Sequence, residues 1–571
     1  MFDSLPQDAI EFSTWPWNKI EPYFRELAER PIEAATVAAW IKDWDRLAEL
    51  LSEAYQRLWV ATTVDTNDET AAGRYQQHLA EVYPQSQAAS QALKERLLAS
   101  GLEPAGFEVP LRNMRQQAEI YREENLPLLS QELELKTEYD KIIGAQGTLW
   151  RGQEVTLMQL QAVFMEPDRT KREEAWRLYS ARWLEDRQSI NDLWVRLLSV
   201  RRRLAENAGE PDYRAYRWKQ MLRFDYTPED CSQFHRAIEE VIVPAVARIN
   251  EKRRLRLGLD RLRPWDLDMD SSGMLPLKPF DKVERLESGV AAMFARVDAQ
   301  LADYFEIMRH EKLLDLENRR GKGPGGYCTE YSAVHRPFIF MNAVGIHDDV
   351  LTLLHEGGHA FHSFESAGLP YFLQREVGNE FAEVASMGME FLASPYLGVE
   401  QGGFYSRQDT ARARIEHLEA YLRFLPYMAV VDAFQHWAYT FPQAASDSNQ
   451  CDEKWVELSG RYMPGVDWSG LENELATGWQ RKAHIHQDPF YYIEYGLALL
   501  GAMQIWRNSL ADQAGAVAAY RRALALGGSV PLPQLFAAAG ARFSFDSATL
   551  RRTVELAEAT IQSLEPQALG G

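Results

Sequence analysis

The sequence predicts a mostly α-helical fold, on three observations. From Pro31 onward, Trp40, Trp44, Leu47, Leu51 and Leu58 recur at helical spacing with charged residues between them. Capping signals open further helices, as at Thr170, read as an N-cap with Glu173 as its capping-box partner ahead of Trp176, Tyr179 and Trp183. Strand signals are short: a hairpin within 147–156 turning at Arg151-Gly152, and Pro337-Phe338-Ile339-Phe340-Met341-Asn342.

In chain order, the helical reading continues over 86–100 and 111–135, where leucine and aromatic stripes read as core. The basic runs Arg201–Arg203 and Lys252, Arg253, Arg254 and Arg256 read as solvated helix faces in an acidic chain. Arg263-Pro264-Trp265-Asp266-Leu267-Asp268 ends the helical run and suggests a subdomain joint. The loop Gly321-Lys322-Gly323-Pro324-Gly325-Gly326-Tyr327 lacks the Gly-Lys-Ser/Thr ending of a phosphate cradle, so nucleotide binding is not expected. Proline at 337 suits an edge strand, whose free amides and carbonyls could pair with an extended peptide. Phe340 and Asn342 on it are candidate substrate-binding residues.

At 571 residues the chain can build more than one core. The expected organisation is an N-terminal helical region over 1–110, a helical lobe with a small hairpin over 111–200, and a region over 201–571 that carries the chemistry. An apolar fraction of 46% and a charged fraction of 25% are those of a soluble globular protein. No stretch is long and apolar enough to span a bilayer, and the first residues carry no basic leader, so no secretory signal is expected. Three scattered cysteines, Cys231, Cys328 and Cys451, make no disulfide framework and suit a reducing, cytoplasmic setting. A net charge of −21 argues against nucleic acid or an anionic membrane as partner.

The chemistry centres on His355-Glu356-Gly357-Gly358-His359. On a helix, residues four apart share a face, so both imidazoles can hold one metal ion, with Glu356 beside a metal-activated water as general base. Zinc suits imidazole, and a catalytic zinc takes three protein ligands. His362 is a poor third, because three imidazoles from one short helix cannot wrap a tetrahedral ion. A second helix opens near Gly378 with Asn379 as N-cap, and places Glu380, Glu383, Met387 and Glu390 on one face. Glu383 is read as the metal ligand, with Glu380 the alternative, and Glu390 as a partner that orients a ligand imidazole. Downstream, 483–496 sets His484 and His486 near Tyr491, Tyr492 and Tyr495. The tyrosines fall at helical spacing, and phenol and imidazole donors suit a developing oxyanion.

The motif helix, Phe381-Ala382-Glu383 with Ser386 and Glu390, and the 484–495 stretch match in order. Together with the 337–342 strand, the Gly-rich loop and Pro167-Asp168-Arg169, they resemble the oligoendopeptidase F group of the thimet oligopeptidase family of zinc metallopeptidases. The likeness covers most of the chain beyond about residue 110. It implies a two-lobed, mostly helical ellipsoid of the zincin type, with a deep substrate channel and a small sheet beside the zinc helix. It implies one Zn2+ per chain on His355, His359 and Glu383, Glu356 as general base, and His484, Tyr492 and Tyr495 stabilising the intermediate or binding the peptide. Tyr491 is a candidate substrate contact. The choices of His484 over His486, and of Tyr492 over Tyr491, stay open. Gly357 stands where family members carry a bulkier residue, which suggests a more open pocket wall. The expected activity is endopeptidase cleavage of oligopeptides. A zinc exopeptidase and a helical scaffold with a relic site are the alternatives.

Overall fold

The stripe around Trp40 forms one long helix, Val37–Val64, in the computed structural model, which describes every residue except Ser272 and Gly571. Trp40 is fully buried, and its indole N–H donates to Leu27 O at 2.9 Å, so the polar end of the ring is satisfied inside the core. The helix expected over 86–100 is Tyr83–Ser100, with Pro84 in its first turn and left-handed Gly101 ending it. The segment 111–135 is not one helix but parts of two, Glu108–Ile120 and Leu126–Gly144. Pro127 accounts for the break: a proline lacks the N–H a helix interior needs, but is tolerated in a first turn.

The described chain divides into two units of discontinuous segments. The first comprises Met1–Ala118, Lys278–Ser406 and Gly501–Phe543; the second comprises Glu119–Leu277, Arg407–Leu500 and Ser544–Gly571. Residues 1–110 fall wholly in the first, whereas 111–200 and 201–571 each contribute to both. The passage between units comes at Leu277, beyond Asp266, which is buried in the second unit and accepts from Arg169 and Arg172.

In the second unit, strands β1 (Gly147–Trp150) and β2 (Gln153–Thr156) pair antiparallel. Arg151 (φ 51°) and Gly152 (φ 83°) form the turn, the two left-handed residues that match the twist of a tight hairpin. The following helix, Arg169–Glu185, is capped by Asp168 rather than Thr170, with the Asp168 carboxylate accepting from the amides of Thr170 and Lys171. Two of the arginines expected in solvent are interior. Arg201 is fully buried between Glu132 Oε1 (2.7 Å) and Tyr439 Oη (2.7 Å). Arg253 donates to Met269 O and sits 3.7 Å from Glu419. Burial pushes it down to about 10. A run of like charges on a helix still sends one residue per turn inward, where a carboxylate makes burial tolerable.

In the first unit, β3 (Leu314–Glu317), β4 (Tyr327–Tyr331) and β5 (Arg336–Ala343) form a sheet in the order β3-β5-β4. The strand read as an edge is therefore central: β4 pairs with it antiparallel and β3 parallel. Pro337 is tolerated because β3 pairing begins only at Ile339, so its missing N–H leaves no ladder bond unmade. The Gly-rich loop before β4 is no phosphate cradle. Its Lys322 ammonium is spent on Asp315, Glu317 O and Met341 O, at 2.6–3.0 Å. Among the described residues, no helix is long and apolar enough to cross a membrane.

Candidate metal centre

The motif lies on the helix His347–Ser366, which packs on β4 and β5 in the first unit. Its start is fixed by Asp349, whose Oδ2 accepts from the amides of Val344, Gly345 and Ile346 at 2.7–3.0 Å. That carboxylate ties down the turn leading into the helix, and its charge sits at the positive end of the helix dipole.

A second helix, Asn379–Ala393, carries the acidic residues, with Gly378 rather than Asn379 at its N-cap position. The two helices cross at Gly358, where a Cβ would fall against the backbone of Ala385 and 2.6 Å from Ser386 Cα. Only glycine permits that approach, and the approach sets Glu383 over the histidines. Tyr520 holds the second helix from behind, its hydroxyl donating to Ala385 O at 2.6 Å.

Glu383 Oε2 stands 3.3 Å from His355 Nε2 and 3.8 Å from His359 Nε2. One ligand atom from each of the three lies within 4.8 Å of the others. Neither His362 nor Glu380 belongs to this group. His362 is buried with its ring edge-on to Phe381, and burial pushes it down to about 3. The outer contacts orient the donors: His355 Nδ1–H donates to Glu390 Oε1 at 2.8 Å, which frees Nε2, and Ser386 Oγ–H donates to Glu383 Oε2 at 2.9 Å. His355 and His359 each keep 24% of their side chains exposed, so the group is open on one side. Two imidazoles and a carboxylate with an open side are the donor set of a catalytic zinc.

Burial and the neighbouring carboxylates set the protonation. Glu356 is pushed up to about 7 by burial, with Glu383 and Glu390 adding to the rise, and His355 and the Cys328 backbone amide opposing it. Burial pushes His359 down to about 4, which keeps it neutral, as a metal ligand must be. Burial would lower His355 too, but hydrogen bonds to Glu383 and Glu390 hold it well above its ordinary value, so a metal taking Nε2 would displace a proton from it. Glu383 is held below the usual carboxylate range against burial by His355 and His359.

Gly357 does not open a pocket wall. A Cβ there would lie 2.6 Å from Phe294 Cζ, so the space is filled by that ring, which packs on Phe361 and Phe305. Phe340 is fully buried and stacks on Tyr327 at 4.8 Å, so its ring is closed to a peptide. Asn342 donates to Gly323 O (2.8 Å) and Gly325 O (3.0 Å), pinning the Gly-rich loop.

The His/Tyr stretch lies in the second unit. There His484 clusters with Tyr492 (ring centroids 4.9 Å apart), Tyr491 (5.8 Å) and Tyr495 (6.1 Å). Lys482 Nζ sits 3.8 Å over the Tyr492 ring. Burial pushes His484 down to about 4 and the Tyr492 phenol well up. His486, by contrast, is fully buried and stacks on Tyr139 at 4.4 Å. The sequence reading missed Phe294, Tyr520 and the Cys328 amide. It also missed the helix crossing at Gly358, of which the Gly-Gly pair was the available sign.

A sequence model of peptidase family M3 matches residues 163–555. The chain belongs to that family. Within it, the relatives and solved structures it resembles support the oligoendopeptidase F group. It is 24% identical over 272 residues to group B oligopeptidase PepB of Streptococcus agalactiae, and 23% identical over 269 residues to an oligoendopeptidase F homolog of Lactococcus lactis. Each match covers 46% of this chain and 42% of the relative, so the aligned stretch spans less than half the length of those proteins. The solved structure of Pz peptidase A with inhibitor 2 matches with a TM-score of 0.87 and 27% identity, covering 99% of this chain and 100% of that one. Oligoendopeptidase F of Enterococcus faecium, at 15% identity and a TM-score of 0.62 over 97% of this chain and 98% of that one, shares the fold.

Proposed function

We propose that this chain is a zinc-dependent endopeptidase acting on oligopeptides. The observation that carries the reading is the His355, His359 and Glu383 group, with Glu356 between the two histidines and Glu390 on His355. The names of the relatives, an oligopeptidase and an oligoendopeptidase, support the substrate class.

Bound at the three donors, zinc supplies Lewis acidity to a water molecule and to the scissile carbonyl. Glu356, carried between the two histidines on the motif helix, takes the proton of the water as it attacks, then hands it to the departing amine. Glu390 keeps His355 in the tautomer that offers Nε2, and Ser386 holds the Glu383 carboxylate in place. The roles that the family resemblance gives to His484, Tyr492 and Tyr495, donation to the peptide or to the developing oxyanion, belong to this proposal. One such donor is worth about 3 kcal/mol.

Fluorogenic peptides blocked at both termini test the reading, with products mapped by mass spectrometry. Internal cleavage that stops on chelation and returns with zinc is expected. Cleavage only of peptides with a free terminus would replace the endopeptidase with an exopeptidase, and no cleavage of any peptide would overturn both.

A further inference from the structure

In the second unit, the helices Pro228–Arg256 and Arg407–Thr440 pack against each other. Each presents a pair of metal-ligating side chains one turn apart, Cys231 and His235 on the first and Asp432 and His436 on the second. One ligand atom each from Cys231, Asp432 and His436 lies within 4.8 Å of the other two. His235 Nε2–H donates to Asp432 Oδ2 at 2.8 Å. Cys231 and Asp432 are fully buried, and the His436 ring is enclosed by Trp218 (5.8 Å) and Phe490 (5.1 Å).

The hydrogen bonding of this cluster is incomplete. Asp432 Oδ1 and His436 Nδ1 are buried with no hydrogen-bond partner among the described residues. His436 Nε2 stands only 3.3 Å from Asp432 Oδ2. Buried polar atoms are almost always paired, and a buried carboxylate wants a cation. None of these side chains takes part in the proposed peptide chemistry.

We propose that Cys231, Asp432 and His436 form a second, buried transition-metal site, with His235 orienting the Asp432 carboxylate. A thiolate, an imidazole and a carboxylate together suit zinc; calcium and magnesium take oxygen ligands. Oδ1 of Asp432 and one nitrogen of His436, idle without an ion, become ligands, and His235 plays the part that outer carboxylate–histidine pairs play at known sites. An ion here joins residues some two hundred positions apart, and its binding is coupled to folding.

Cobalt substitution reads this site apart from the first, since His355, His359 and Glu383 offer no sulfur. The full chain, expressed in cobalt-supplemented minimal medium, is expected to show near-ultraviolet thiolate-to-cobalt charge-transfer absorption and two metal equivalents per chain. The variant combining His355→Ala and Glu383→Ala keeps the thiolate band and one equivalent. Cys231→Ser loses the band and one equivalent, and His436→Gln weakens both. A wild-type protein that takes up cobalt without a thiolate band overturns the proposal, as does a band that survives Cys231→Ser. The wild-type spectrum decides even if a variant fails to fold.

Discussion

His355 Nδ1 stands 2.8 Å from Glu390 Oε1, and that one hydrogen bond decides which face of the imidazole is free. The carboxylate fixes the Nδ1–H tautomer, so Nε2 turns to Glu383 at 3.3 Å. Glu390→Gln can still accept that hydrogen bond but carries no charge. Zinc affinity is expected to fall about 10–100-fold, measured by competition with a chromophoric chelator. An unchanged affinity would remove Glu390 from the centre.

Gly358 is where the two helices meet, with Ser386 Cα 2.6 Å from where a Cβ would sit. The obstacle is backbone, which cannot rotate away. Gly358→Ala is expected to cost about 3 kcal/mol or more in a urea titration, because inserted methyl groups that force backbone shifts lie at the upper end of overpacking effects. Metal content should fall with it, since the crossing positions Glu383.

Gly357 meets a side chain instead. A methyl group there would press on Phe294 Cζ at 2.6 Å. Gly357→Ala alone is expected to destabilise by about 1–3 kcal/mol. Combined with Phe294→Leu it should cost less than the sum of the single changes, with a coupling of about 0.5–3 kcal/mol. Strict additivity would show that the ring does not fill this space.

Asp45, buried in the first unit, is pushed up to about 8 by burial, with Glu49 and Glu376 adding to the rise and the Phe372 amide and Arg375 opposing it. Its folded pKa exceeds its unfolded one. The stability it contributes as a neutral acid is therefore fully present below the ordinary carboxylate range, and is lost as pH rises towards about 8. Thermal melts across that window should show Asp45→Asn gaining on wild type as pH rises. Parallel curves would mean that Asp45 is ionised throughout.

Much of this was legible in the residues because it rests on short-range periodicity. The His355 and His359 pair and the face carrying Glu383 and Glu390 follow from helical spacing alone, and the hairpin at Arg151-Gly152 follows from turn chemistry. What misled depends on partners distant in the chain. Pro337 pointed to an edge because nothing local says that β3 pairs only from Ile339. Arg201 read as solvated because its partners, Glu132 and Tyr439, are far away in sequence. Gly357 looked like open space for the same reason, its neighbour Phe294 lying on another helix. Cys231 and Asp432 could not be joined without knowing that their helices pack.

In the proposed reaction Glu356 moves the proton while His355, His359 and Glu383 hold the ion. Glu356→Gln separates these roles, since the amide is nearly the same shape but cannot accept a proton. Zinc content and turnover of a blocked peptide, measured on the same preparation, test it most directly. Undiminished zinc with turnover lower by about 10³ or more is expected. Near-normal turnover in a zinc-loaded Glu356→Gln protein would contradict it.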